Sequence, residues 1–401
     1  MVSILLAPIG PVNAPPVPHE PRRLLLASSS LCAILFPVKV AIVHDWLNQQ
    51  GGAEAVLSAL VDLLPGAPVY TSIYAPASMP AAFGRWPIHT TWMDRLPAIH
   101  RRHQPYLILY PLAFGGLHLE GYDLVISNKS AFCLGIRTSP GTRHLCYCLT
   151  PTRFVWDYDA YIGQEEAGHL ARNMVRPFLG ALQRWERAAA GRVDTFVSIS
   201  REVQARVRRI YGRESTILYP PVDTGRFAPA DGHDDYFLIV SRLVPYKRID
   251  LAVQAFTQLG LPLWIAGSGR DLARLRTLAG PTVRFLGRIP DDALGSLLAR
   301  CRAFLFPGME DFGIAPVEAM ASGRPVIAYA GGGALETVVE GVTGTFFAEQ
   351  TPLSLAEAVR RFEASAFDPG AIRAHARLFD VSVFKAGMRA AIASELGGTW
   401  N

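Results

Sequence analysis

The sequence predicts an α/β protein with two parallel-sheet domains, and three observations carry that expectation. Short apolar runs such as residues 38–43, 124–127, 236–240 and 303–306 recur between helical stretches, the alternation of parallel strands with crossover helices. The chain has 401 residues, beyond the roughly 250–300 at which a single core stops growing. Between the two series lies Tyr219-Pro220-Pro221-Val222-Asp223, a stiff crossing, because adjacent prolines interrupt helices and sheet ladders alike.

Taken in order, residues 1–37 fit neither series. They hold a proline-rich stretch, the pair Arg22-Arg23 and an apolar run to Leu35. No small-residue cleavage site and spacer separate that run from the first strand, so a signal peptide is not expected. The expectation is a dispensable, poorly ordered extension, with Val38 nearer the true start. The first domain, 38–218, opens with strand 38–43 and a loop containing Gly51-Gly52, which feeds a helix to Leu64. Further strands are expected at 69–74, 124–127, 144–148 and 195–200, and a helix at 201–211. The second domain, 219–380, has expected strands at 236–240, 263–266, 283–286, 303–306 and 325–329. Residues 381–401 are expected as a C-terminal helix packing back toward the first domain, capped by Asp380 or Ser382.

Half of the residues are hydrophobic and 18% are charged, which describes a globular chain and excludes a disordered one. A net charge of +5 suits an acidic small molecule or an anionic membrane and is too modest for a nucleic-acid footprint. The five cysteines, 32, 133, 146, 148 and 301, form no C-x-x-C pair, so neither a disulfide framework nor a zinc site is expected, and a reducing cytoplasm fits. No apolar run reaches the roughly 18 residues of a membrane helix. Between Trp92 and His118, Arg95, Arg101 and Arg102 stand beside Tyr106, Leu107, Ile108, Leu109, Tyr110, Leu112 and Phe114. A surface lying on an anionic bilayer and a helix packed on the sheet fit this segment equally well.

The chemistry concentrates after residues 303–306, in Glu310-Asp311-Phe312-Gly313-Ile314-Ala315-Pro316-Val317-Glu318. Pro316 is expected at the first helical position, where its missing N–H costs nothing, and Gly323 just past the helix end. Gly313, Ile314 and Ala315 then present free amides and the positive helix dipole, a seat for an anion. Glu310 on the loop and Glu318 in the first turn flank it. Two acids there need hydroxyl groups to accept from, and a nucleotide sugar supplies diphosphate, ribose and sugar hydroxyls together. A solvated loop acid beside a dipole-favoured Glu fits the spacing equally. Ser241-Arg242-Leu243-Val244-Pro245-Tyr246-Lys247 places two cations at a strand's carboxyl end, where open α/β sheets bind ligands, and two fixed cations suit a diphosphate. Ala266-Gly267-Ser268-Gly269 and Gly331-Gly332-Gly333 follow other strands of the same domain.

Ser-Arg-Leu-x-x-x-Lys, Ala-Gly-x-Gly, the Glu-x7-Glu stretch at 310–318 and the following Gly-Arg-Pro-Val-Ile-Ala together resemble glycosyltransferase family 4, retaining enzymes of the two-domain GT-B fold. The resemblance covers the chain from about Val38 and is most specific over residues 241–340. His44-Asp45-Trp46-Leu47 and Leu-Thr-Pro-Thr-Arg-Phe-Val-Trp at 149–156 resemble the WbaZ-like mannosyltransferase branch. It implies a hexose, best mannose from GDP-mannose, moved to a lipid-linked glycan at the cytoplasmic membrane face. By position it implies Arg242 and Lys247 on the donor diphosphate, Gly313, Ile314 and Ala315 on phosphate and sugar, Glu310 on sugar hydroxyls and Glu318 on ribose. Gly267 joins the donor-binding set, and Gly51 and Gly52 close the cleft from the other domain. Glu310, Lys247 and Arg242 are the implied catalytic groups, with no cofactor or metal; Asp157-Tyr158-Asp159 matches the metal signature of a different fold by chance. One position departs from the family: relatives carry a cleft-facing His, assigned to the donor sugar, where this chain has Leu149. The rivals are a UDP-sugar-dependent transferase, a nucleotide-sugar epimerase and a non-catalytic donor-binding protein, with a nicotinamide oxidoreductase last.

Overall fold

A computed structural model describes residues 38–158 and 169–398. The expected extension at 1–37 lies outside them, as does Asp159 of the Asp-x-Asp match. Two parallel sheets organise the rest. The first holds β1 (Val40–His44), β2 (Val69–Thr71), β3 (Ile88–Thr90), β5 (Leu124–Lys129), β7 (Arg143–Cys148), β8 (Thr195–Ser198) and β9 (Ser215–Ile217) in the order β3-β2-β1-β5-β7-β8-β9. A separate small pair joins β4 (His118–Leu119) to β6 (Arg137–Thr138). The second large sheet runs β12-β11-β10-β13-β14-β15, from β10 (Phe237–Val240), β11 (Leu263–Ala266), β12 (Val283–Gly287), β13 (Ala303–Phe306), β14 (Val326–Tyr329) and β15 (Gly344–Phe347). Parallel strands need crossovers, and helices covering both faces leave the central strands buried throughout, as β1, β5 and β13 are.

Both strand orders reverse direction once, between β1 and β5 in the first sheet and between β10 and β13 in the second. Such a switch point opens a crevice outside the carboxyl ends of the strands, because the neighbouring crossovers leave in opposite directions. The two crevices belong to lobes that meet at Gly52 and Ile314: a Cβ on Gly52 would lie 2.8 Å from the Ile314 Cδ1 atom.

The polypeptide crosses between lobes at residues 219–223 and again near Phe379. The crossings run side by side: Val222 N donates to Phe379 O at 3.0 Å, and Val381 N donates to Val222 O at 2.9 Å. The last helix, Val381–Glu395, then lies on the first lobe. Phe384 meets Tyr147 edge-on at 5.4 Å, and Glu395 takes Arg143. Asp380 supplies the cap, accepting from Ser382 N at 2.9 Å.

Several boundaries differ from the sequence reading for physical reasons. The strand expected at 69–74 stops at Thr71, because Ser72 N turns to Asp45 O and Tyr74 N to the Asp94 carboxylate. The short strands β3, β9 and β15 escaped notice, being three or four residues long with only partial burial. Within 92–118 the segment packs on the sheet through some residues and leaves others in solvent. Tyr110 and Phe114 are fully buried, with Tyr110 stacked on Phe132, while Trp92, Ile108 and Leu112 stay exposed. No described helix is long and apolar enough to cross a membrane.

Candidate active site

The loops leaving β10 and β13 build the site at the second switch point. After β10 the chain passes Ser241 and Arg242 and makes one tight turn, Pro245–Lys247. Arg248 follows with φ of +52°, a left-handed conformation that a non-glycine residue adopts only when its surroundings enforce it. That turn aims Lys247 across the crevice, where Nζ forms an ion pair with the Glu310 carboxylate. Arg242 is exposed and donates to the Tyr246 hydroxyl at 3.0 Å. Ser241, Lys247, Gly308 and Glu310 line a small pocket there.

Gly313 turns the second loop into its helix with φ of +95°. The helix spans Ile314–Ala321, so it begins two residues before the expected point, and Pro316 occupies the third helical position rather than the first. Proline is tolerated there because first-turn amides have no intrahelical partner. The amides of Ile314 and Ala315 head the helix. Glu318 is correspondingly its fifth residue, half-buried and past the first turn in which the sequence placed it. The expected helix-ending Gly323 has φ of +72°.

Glycines hold these loops in register. A Cβ on Gly267 would fall 1.8 Å from Ser241 O, and one on Gly269 2.1 Å from Leu243 O. Their absent side chains therefore let backbone pack closely beneath the Ser241–Lys247 loop. Gly333 does the same under the Glu310 loop: its Cβ would sit 2.3 Å from Phe312 Cα, and its amide donates to Glu310 O at 2.8 Å.

The first lobe contributes groups that sequence reasoning missed. Arg153 reaches Asp311 through Nη2 at 2.6 Å and Nε at 3.2 Å, and Arg206 reaches the same carboxylate at 2.6 Å. Glu336 from the second lobe accepts from Arg201 N at 2.8 Å, at the start of the Arg201–Tyr211 helix, and from the Tyr219 hydroxyl at 3.2 Å. A carboxylate suits a helix N-terminus because the amides there lack partners and the dipole is positive. Deeper in the first lobe, Lys129 and Glu186 form a fully buried ion pair at 2.9 Å. Glu186 also receives Trp156 Nε1 at 2.7 Å and Tyr211 OH at 2.6 Å, and Lys129 donates to Thr150 O at 3.0 Å. Burial opposes the Glu186 charge, yet Lys129 with the Tyr211 and Thr152 hydroxyls outweighs it and holds its pKa below the ordinary value. The pair anchors the 149–156 segment, whose Leu149 is almost fully buried with its amide on Lys129 O. Only the tertiary fold brings residues 129, 153, 186, 206 and 311 together; as single charges they carry no pattern.

Gly51 and Gly52 sit beside Glu54 at the carboxyl end of β1, close to the buried His44, which lies 3.2 Å from Asn128 Nδ2. Among the described residues, no three His, Cys, Asp or Glu side chains converge as a metal site.

The family model described as glycosyl transferases group 1 matches residues 226–377, and the one described as Glycosyltransferase Family 4 matches residues 50–226. The two adjoin at the interlobe region and together span both lobes. A GDP-mannose-dependent monoacylated alpha-(1-6)-phosphatidylinositol monomannoside mannosyltransferase of Corynebacterium glutamicum is 34% identical over 178 residues, 36% of this chain and 47% of that protein. The mouse alpha-1,3/1,6-mannosyltransferase ALG2 is 28% identical over 298 residues, 64% of this chain and 68% of that protein. The chain spans about half the length of the actinobacterial relatives it matches. Among solved structures, Anabaena HepE in complex with UDP and glucose superposes with a TM-score of 0.65 at 18% identity, covering 89% of this chain and all of that one. That likeness is one of fold, the two-lobed GT-B architecture. With one family model on each lobe and the switch-point loops in place, the chain belongs to glycosyltransferase family 4.

Proposed function

We propose that this glycosyltransferase moves mannose from GDP-mannose to a lipid-linked glycan with retention of anomeric configuration. The observation that carries the reading is the convergence of Arg242, Lys247, Glu310 and the Ile314–Ala321 helix mouth at one switch point, facing Gly52 of the other lobe. The choice of mannose rests on the mannosyltransferases among the relatives and on the 149–156 segment.

In this reading the donor diphosphate displaces Glu310 from Lys247. The ammonium group then faces phosphate, and the freed carboxylate accepts from sugar hydroxyls. Arg242, Lys247 and the helix dipole stabilise the departing charge without a metal. Glu318 takes the ribose. The acceptor hydroxyl attacks on the face the phosphate leaves, and the leaving phosphate accepts its proton. Arg95, Arg101 and Arg102, with exposed Trp92, Ile108 and Leu112, form a surface suited to an anionic bilayer at the cytoplasmic face.

The test is nucleotide release from a panel of GDP- and UDP-sugars, with and without a membrane lipid extract. Lipid-dependent release from GDP-mannose alone supports the proposal. Release from a UDP-sugar keeps the class and discards mannose, whereas release without any acceptor favours an epimerase. GDP binding without release under any condition favours the non-catalytic reading, for which Leu149 in place of the family's His is the motive.

A further inference from the structure

The loop after β13 is tied to three different neighbours by three successive side chains. Glu310 pairs with Lys247 of its own lobe. Asp311, 13% exposed, takes Arg153 and Arg206 of the first lobe. Phe312 stacks on Tyr219 at 5.6 Å and meets Phe379 at 5.6 Å, one ring from each crossing segment. The loop that carries a donor-site carboxylate is thereby fastened both to the opposite lobe and to the hinge.

Asp311 directly follows Glu310 on this loop and holds two guanidinium groups of the first lobe. Burial opposes the Arg153 charge, and Asp311 is the principal group that stabilises it, with Tyr246 and Glu310 contributing further. Glu310 immediately precedes Asp311, so it is the next carboxylate along the loop from the one that holds Arg153. A guanidinium deprived of its carboxylate in a partly buried setting seeks another, since an unpaired buried charge is costly. Glu310 is the adjacent one. Arg206 has a second partner in Glu202, at 3.0 Å, whereas among the described residues Arg153 is ion-paired with Asp311 alone.

We propose that Asp311 is a positioning residue with two linked effects: through Arg153 and Arg206 it holds the Glu310 loop against the first lobe, and it keeps Arg153 from capturing Glu310. Glu310 is thus left to Lys247 and, on the proposed function, to the donor sugar. The inference rests on that function for its kinetic consequence and on geometry alone for the interlobe tie.

The experiment compares the full-length protein with Asp311→Asn, Asp311→Glu and the double variant Asp311→Asn with Arg153→Gln. GDP affinity is measured by calorimetry, turnover at saturating GDP-mannose, and overall dimensions by small-angle scattering with GDP bound. For Asp311→Asn the expected results are GDP affinity within about twofold, a larger radius of gyration, and turnover reduced about 30-fold, the scale of a modest misplacement of a reacting group. Asp311→Glu restores much of the turnover. Removing Arg153 as well recovers a substantial part of it, because the competing guanidinium is gone; a merely structural loss would deepen instead. Turnover within about threefold of wild type in Asp311→Asn, or no recovery in the double variant, overturns the proposal. If wild type releases no nucleotide from any donor, the proposed function fails, and scattering alone decides the tie: an unchanged profile for Asp311→Asn overturns it and an expanded one supports it.

Discussion

At the residue scale the site is defined by which charges are paired and where. Lys247 is the cation that the proposed function sets on the departing diphosphate, and the turn ending at Arg248 carries it to Glu310 and the pocket between them. Lys247→Ala is expected to lower turnover about 100-fold, about 2.7 kcal/mol of lost leaving-group stabilisation. Steady-state kinetics check this, and a drop below about threefold removes Lys247 from the mechanism. Lys129 is a different kind of lysine, fully buried against Glu186. Lys129→Met leaves that carboxylate buried and unpaired and is expected to cost about 3–5 kcal/mol in urea unfolding, most of it recovered by adding Glu186→Leu. His144 reports on pH. It is buried with Nε2 2.7 Å from the Ser127 hydroxyl, and burial lowers its pKa from 6.5 to about 4. Between those values the unfolded chain binds a proton that the folded chain does not. Stability is therefore complete above pH 6.5 and falls as the pH drops toward 4. His144 contributes a loss of about 2 kcal/mol between about pH 7.5 and about pH 5, which is absent in His144→Gln on the same denaturant curves.

At the scale of elements, the loops after β10 and β13 owe their positions to the glycines beneath them. Gly333 brings its own loop within backbone contact of Phe312 and hydrogen-bonds Glu310 O. Gly333→Ala forces these loops apart. The expected cost is about 1–3 kcal/mol of stability, as for other overpacked sites, together with a roughly tenfold loss of turnover as Glu310 shifts. Unfolding and kinetics on one preparation separate the two effects; loss of stability with full turnover would show that Glu310 does not depend on this support. The Arg201–Tyr211 helix is the corresponding element of the first lobe. The second lobe grips it at two points, Glu336 on its first amides and Asp311 on Arg206. Its span was readable beforehand, whereas its capping by Ser200 was not, since that residue reads as the end of the preceding strand. That a carboxylate 135 positions away also caps it was not readable either.

At the scale of the molecule, paired crossing segments and a C-terminal helix returning to the first lobe connect two sheets whose switch points face each other. Such an architecture suits catalysis that assembles on closure, since each lobe holds only part of the constellation. The first lobe also carries Arg95, Arg101 and Arg102 near exposed Trp92, Ile108 and Leu112. Replacing Arg101 and Arg102 by Glu is expected to weaken binding to phosphatidylserine vesicles at least about tenfold, at about 1 kcal/mol per basic residue. Flotation with neutral vesicles as control reads this out, and unchanged binding removes these arginines from any membrane contact.

The sequence by itself determined what depends on neighbours along the chain. Apolar runs of strand length marked the central strands β1, β5, β10, β11 and β13, and the Glu310–Glu318 spacing with its glycine turn marked the anion seat. Both are local, because strand burial and a glycine-led helix start are written within a few residues, whereas what that helix mouth binds belongs to the proposed function. The tertiary structure decided the rest. Edge strands β3, β9 and β15 are too short for a periodic signal, and the start of the Ile314–Ala321 helix was set by Gly313 rather than by Pro316. It alone joined Lys247 to Glu310, Lys129 to Glu186, and Arg153 and Arg206 to Asp311. Ion pairs between distant residues leave no periodicity in a sequence, since either partner is an ordinary charge until the fold removes its water.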